Sequence, residues 1–203
     1  MTSNNALNKN FNLSNYTTIK VAGVTEYFAE PNNIEDFINL IKWTKSNNLK
    51  CRIIGAGSNL LVNNIFLKGL VICTKKMKNL SVEPFSGNIE AEAGVMLPTL
   101  SNLLAKNGLK GGEWAVGIPG TLGGAICMNA GSGKLSLANY LLSVKVINAK
   151  TLEIQEIERK DINFKYRFSP FQNNDLIILS AKLNFEPKGD IEQLLKTTKN
   201  NLK

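Results

Sequence analysis

GLKGGEWAVGIPGTLGGAICMNAGSG, residues 108–133, holds nine of the sixteen glycines of this 203-residue chain. Glycine costs folding entropy, so so dense a cluster implies that backbone must pass close to something a Cβ would obstruct. Pro119 stiffens the turn, and Ala125, Ala130 and Ser132 keep the surroundings small. Ile126 and Met128 then lead to Asn129. A rigid strip of bare amides suits a phosphate or an anionic cofactor, because unpaired N–H groups form anion-holding concavities. A flexible linker would carry serine and polar residues. Here the glycines alternate with Trp114, Val116, Ile118, Leu122 and Ile126.

A second glycine site stands earlier, where the apolar run CRII (51–54) ends in GAGSN (55–59). This reads as a strand feeding a tight loop. The dinucleotide fingerprint G-x-G-x-x-G needs a third glycine opening a helix. Leu60 stands there instead, and LLVNNIFLKG is a poor amphipathic helix, so the Rossmann reading fails. What remains is a loop offering amide N–H groups, the Ser58 hydroxyl and the Asn59 amide.

The length suffices for one large domain or two small lobes with a proper core. No apolar run approaches 18 residues and the opening MTSNNALNKN is polar, so neither a membrane span nor a signal peptide is expected, and the chain reads as cytoplasmic. Cys51, Cys73 and Cys127 are far apart in apolar surroundings, which fits buried small hydrophobes and neither a disulfide framework nor a metal site. The net charge of +8 invites a nucleic-acid reading. Against it, the excess comes from 21 lysines to 3 arginines, dispersed except for Lys75-Lys76-Met77-Lys78. Neither aromatic–basic interleaving nor a recognition helix is present, so no nucleic-acid partner is expected. A basic surface equally attracts a phosphorylated substrate. With no histidine, Ser-His and Cys-His nucleophilic systems are excluded within the chain. Redox chemistry would have to come from a bound cofactor.

Along the chain, strands are expected over 27–30, 51–54, 70–73, 80–83, 89–93, 142–148, 152–157 and 176–185. Val144 and Val146, and Leu179, Ala181 and Leu183, alternate with period two. A helix starts near Asn33, a good N-cap followed by Glu35 and Asp36 in the first turn. Ile34, Phe37, Ile38 and Ile41 line one of its faces. A second helix over 98–106 stops at Asn107-Gly108. A third, over 190–202, places Ile191, Leu194, Leu195 and Leu202 on one side. The pattern is α+β and not a regular βαβ alternation.

GAGSNLLV, then WAVGIPGTLGGAICMNAG, then KYRFSPF together resemble the signature series of the UDP-N-acetylenolpyruvoylglucosamine reductases (MurB type). Residues 15–23, NYTTIKVAG, resemble that family's N-terminal stretch, and YFAEP at 27–31 its first strand. The likeness runs in order from about 15 to 185; Ala56 stands where the family usually has glycine. It implies a two-lobed FAD-binding domain of the vanillyl-alcohol-oxidase type: lobe 1 over 15–75 and lobe 2 over 76–186. These follow a disordered 1–14 and precede a helix at 187–203 that leads to a substrate domain without counterpart here. The resemblance places Gly55, Ala56, Gly57, Ser58, Asn59 and Leu60 on the FAD pyrophosphate. It places Gly117, Ile118, Pro119, Gly120, Thr121, Gly123, Gly124 and Ala125 along the second loop, followed by Asn129, Ala130 and Gly131. Thr121 is expected to donate a hydroxyl. Absence of histidine excludes a histidyl flavin link, so FAD is expected to be non-covalent. Trp114 and Trp43 are expected in the core.

Arg167, one of three arginines, sits beside aromatics in Lys165-Tyr166-Arg167-Phe168-Ser169-Pro170-Phe171. On residues alone it could stack on Tyr166, pair with a surface carboxylate, or use its planar fork on a ligand. The Y-R-x-S match implies the family's catalytic arginine, with Tyr166 and Arg167 at the substrate. The implied reaction uses NADPH as co-substrate and reduces an enolpyruvyl UDP-sugar in peptidoglycan precursor synthesis. Its proton-donating serine and assisting carboxylate lie in the missing domain, so this chain alone is expected not to complete turnover. Another flavin oxidase or dehydrogenase of the same fold, or a non-catalytic flavin-binding remnant, remains the alternative.

Overall fold

The computed structural model describes residues 7–20, 23–62, 65–173 and 175–202. The first six residues of the expected disordered opening, Val21 and Ala22 of the N-terminal motif, Asn63 and Asn64 after the first glycine loop, and Lys203 lie outside the described residues.

Lobe 1 is built on a four-stranded sheet, β1 (Asn8–Asn12), β2 (Val24–Ala29), β3 (Cys51–Ile54) and β4 (Phe66–Cys73), in the order β1-β2-β4-β3. β2 and β3 both run parallel to β4, and β1 pairs antiparallel with β2. β1 corrects the expectation of disorder over 7–14. Its polar sequence is held by one aromatic: the Phe11 ring stacks on Phe28 at 4.1 Å. Helix α1 (Ile34–Ser46) begins where expected, the Asn33 side chain accepting a hydrogen bond from the Asp36 N–H at 2.8 Å. Phe37, Leu40 and Ile41 are its buried apolar residues, and Ile34 and Ile38 pack at the margin.

Lobe 2 is a five-stranded antiparallel sheet ordered β10-β9-β11-β6-β5. Its strands are β5 (Leu80–Glu83), β6 (Asn88–Glu92), β9 (Leu141–Asn148), β10 (Ile154–Glu158) and β11 (Leu176–Asn184). Helix α2 (Leu97–Lys106) and a short α3 (Leu122–Cys127) cover one face. A hairpin of β7 (Gly131–Ser132) and β8 (Leu135–Ser136) follows α3. Helix α4 (Ile191–Asn200) packs on α2. Of its expected apolar face only Leu194 is buried; Ile191 and Leu202 are exposed and Thr198 is buried in their place.

The lobes share a core. Phe37, Ile41, Leu70, Ile72 and Met77 of the first half pack with Ile147, Ile177 and Leu179 of the second. A bulge makes this possible: the β11–β9 register slips between Ile178 and Ser180, around Leu179. Leu179 therefore joins the bridging core, whereas Ala181 and Leu183 face α2 and α3 in the second lobe's own core. The period-two reading had put all three on one face. The two-lobed α+β architecture is as expected.

Candidate active site

The two glycine segments meet at the junction of the lobes. The loop after β3 turns at Gly57 in the left-handed region, at φ +68°, and a Cβ there would collide with the Tyr16 carbonyl. The Gly57 carbonyl accepts from the Thr18 N–H at 3.2 Å, which ties the N-terminal stretch beneath the loop. Gly55 is glycine because a Cβ would lie 2.2 Å from Thr121 Oγ1. The Ser58 hydroxyl donates to the Pro119 carbonyl at 2.5 Å, closing the junction.

At this junction the amides of Ala56, Gly57, Ser58 and Asn59, and of Gly120 and Thr121, donate to no acceptor among the described residues. Leu60 continues the first loop exposed, at 37%. Gly120 has an ordinary φ, and a Cβ on it would meet only Ser58 Oγ, at 3.5 Å. Nothing in the protein demands glycine there. A free strip of amides beside a glycine with open space in front fits a ligand's pyrophosphate. The glycine-rich segment also holds α3, unforeseen because Gly123 and Gly124 mask its periodicity. Thr121 caps it: its buried Oγ1 accepts from the Gly124 N–H at 3.4 Å. The expected hydroxyl donor is thus turned inward, and the Thr121 amide is the group left over. Gly123 and Ala125 hold α3 against the second lobe, a Cβ on Gly123 meeting Ala93 at 2.9 Å.

Beside the junction opens a cleft of about 530 Å³, walled by Ile53 and Gly55 from lobe 1 and by Gly123, Gly124, Phe171, Ile177 and Ile178 from lobe 2. Apolar walls ending on bare backbone suit a flat, partly apolar ring system. Trp114 and Trp43 are not part of it. Trp114 packs on the lobe 2 core with its indole N–H on the Gly111 carbonyl, and Trp43 meets Tyr27 edge-on.

Asn129, Ala130 and Gly131 lie elsewhere, past the end of α3. Asn129 and Gly131 line a basin of about 950 Å³ with Lys134, Ser136, Tyr166 and Arg167, while Ala130 is buried behind it. Asn129 and Arg167 both adopt positive φ, at 42° and 53°. Asn129 Nδ2 donates to the Lys165 carbonyl at 3.0 Å and holds the Arg167 loop. The Arg167 guanidinium donates Nη2–H to the Gly131 carbonyl at 3.3 Å and lies 5.5 Å from the Tyr166 ring. No carboxylate pairs with it among the described residues. Ser169 is fully buried: its hydroxyl donates to the Cys127 carbonyl at 2.7 Å and accepts from the Phe171 N–H. It anchors the loop and cannot reach a substrate. Gln172, which the sequence did not single out, donates to both the Cys127 and Arg167 carbonyls, at 3.2 and 3.0 Å. Its only signal is its place directly after the SPF turn.

Over residues 25–155 the chain matches the family described as FAD binding domain. It is 73% identical over 192 residues to the UDP-N-acetylenolpyruvoylglucosamine reductase of Prochlorococcus marinus subsp. pastoris, covering 95% of this chain and 65% of that protein. Against the reductase of Prochlorococcus marinus strain NATL2A it is 44% identical, covering 97% of this chain and 67% of the relative. The chain belongs to the UDP-N-acetylenolpyruvoylglucosamine reductase family. It spans about two thirds of the length of these relatives. The crystal structure of the reductase from Thermus caldophilus superposes with a TM-score of 0.79 at 25% identity, covering 97% of this chain and 68% of that one. FAD is thus the cofactor that the matched family is described as binding. No helix among the described residues is long and apolar enough to cross a membrane.

The cysteines of this chain are free thiols, Cys73 buried and Cys51 and Cys127 half-buried. Burial pushes Cys73 from 9.0 to about 11 and Cys51 to about 12, and raises Cys127, which lines the apolar cleft. The native chain at pH 8 is therefore expected to take up iodoacetamide far more slowly than an open thiol, with all three cysteines labelled only in denaturant, as mass spectrometry would read. Because folding raises these pKa values, their contribution to stability is full below pH 9 and is lost as pH rises towards 11. Rapid labelling of the folded chain at pH 8 would contradict the assignment.

Proposed function

We propose that this chain is the flavin-holding part of an NADPH-dependent UDP-N-acetylenolpyruvoylglucosamine reductase that makes UDP-N-acetylmuramate in peptidoglycan precursor synthesis. The observation that carries the reading is the pairing of an acceptor-less amide strip at the lobe junction with an unpaired arginine across α3. When bound, FAD supplies the two-electron relay between NADPH and the enolpyruvyl double bond. The amides of 56–59 and of Gly120 and Thr121 would hold its pyrophosphate. Ile53, Phe171, Ile177 and Ile178 would exclude water from one side of its ring system. Arg167 would clamp the substrate carboxylate with a planar fork and stabilise charge that develops there, beside Tyr166. Asn129, Ser169 and Gln172 keep the arginine's loop in place. On this reading the proton donor lies outside the described residues, and these residues would bind flavin without completing turnover. Nucleotide substrates of this kind would suit a cytoplasmic enzyme.

The purified chain is expected to be yellow, and acid precipitation should leave all flavin in the supernatant. A colourless chain that ignores added FAD would overturn the reading. So would prompt anaerobic reoxidation of the reduced chain by the enolpyruvyl nucleotide, as regards turnover.

A further inference from the structure

Helix α4 lies against the start of the second glycine segment. It packs on α2 and on the 3-10 turn Glu113–Gly117 that leads into that segment. Just past the helix, Asn201 touches both ends of this turn. Its Nδ2 donates to the Glu113 carbonyl at 3.1 Å. Its own carbonyl oxygen lies 3.0 Å from where a Cβ on Gly117 would sit. The turn is further braced from within: the Glu113 carboxylate accepts from the Gly111 N–H at 2.9 Å, and the Ile118 N–H donates to the Ala115 carbonyl at 3.2 Å. A side chain at Gly117 would crowd Asn201, and Asn201 borders the backbone that runs on to Gly120 and Thr121.

The seat of α4 is modest. Leu194 and Thr198 are its buried residues, and the Thr198 hydroxyl finds no hydrogen-bond partner among the described residues. A helix held this lightly can respond to what happens at the turn it grips.

We propose that Asn201 is a positioning residue for the cofactor loop: by bonding the Glu113 end of the 113–117 turn and abutting its Gly117 end it sets the 117–121 backbone in the attitude that receives FAD. This rests on the reading of 117–121 as a cofactor segment. Linkage makes the coupling reciprocal, so a bound flavin must in turn hold α4 against the domain.

The test measures FAD affinity by quenching of flavin fluorescence, together with thermal unfolding of the flavin-free chain. The variants are Asn201→Ala, Asn201→Asp, which keeps the shape but loses the N–H donor, and Lys196→Ala, an exposed control on the same helix. Both Asn201 variants should bind FAD on the order of 10-fold more weakly, as the loss of one placed hydrogen bond implies. Lys196→Ala should match the wild type, and the flavin-free melting points should all stay close together. In the wild type, FAD should slow hydrogen exchange across 194–201, and this protection should fade in Asn201→Ala. Unchanged affinity in the Asn201 variants overturns the proposal while the flavin reading stands. A weakening that Lys196→Ala shares, or that comes with a flavin-free chain melting many degrees lower, reduces Asn201 to a structural part and overturns it as well. A wild-type chain that takes up no FAD overturns both.

Discussion

Gly120→Val is expected to abolish flavin binding without unfolding the chain. The backbone at Gly120 has an ordinary φ, and the first added carbon meets only Ser58 Oγ, at 3.5 Å, a normal contact. The protein itself can accept a side chain there. A ligand phosphate resting on the free amides of Gly120 and Thr121 cannot, because the branched carbon would occupy its approach. Affinity should fall on the order of 10³-fold or more, the equivalent of about 4 kcal/mol, with Gly120→Ala in between. Gly55→Ala is the informative contrast. Its Cβ would lie 2.2 Å from Thr121 Oγ1, so it should disturb the junction itself and lower the melting point. Flavin titration and melting of the flavin-free chain separate the two. A Gly120→Val chain that binds FAD normally would move the cofactor away from this loop.

Arg167→Lys, made in a protein spanning the full length of its relatives, should keep its flavin and lose the step from reduced flavin to substrate. The guanidinium is already oriented by the Gly131 carbonyl and the Tyr166 ring, and its remaining donors have no partner among the described residues. A lysine keeps the charge but offers a point cation where a planar carboxylate asks for two parallel hydrogen bonds. The loss should be on the order of 10²-fold, the scale of a removed electrostatic stabiliser. Stopped-flow reoxidation by the enolpyruvyl nucleotide reads it directly. An unchanged rate would leave Arg167 as a cation stacked on Tyr166 and nothing more.

Much of this arrangement was legible in the sequence, for physical reasons that differ by element. Asn33 with Glu35 and Asp36 announces α1 because caps are local chemistry. The Val144–Val146 alternation announces a strand because one-sided burial enforces its pattern, and CRII announces one as a short apolar run ending in a glycine turn. β1 was missed because Asn8-Lys9-Asn10-Phe11-Asn12 owes its order to one ring stacked on Phe28, seventeen residues and a turn away. α3 was missed because paired glycines erase the periodicity on which helices are recognised. The site residues were found as motifs, yet their division was not. Asn129 and Gly131 follow the FAD segment in sequence but face the arginine, since α3 carries the chain from one cleft to the other. That Ser169 is an anchor for the arginine's loop is not legible in the sequence either, because its partner, the Cys127 carbonyl, lies 42 residues away.

The hydrogen bond from Ser58 to Pro119 joins positions 61 apart in the chain, and it has a kinetic meaning. It joins a loop of one lobe to a loop of the other, so the closure is worthwhile only once both lobes are in place. The junction is thus among the last parts to form and among the first to let go. The half-life of the folded domain against proteolysis should then lengthen sharply with flavin present, the cofactor bridging the two halves as the final rivet, while its folding rate stays unchanged.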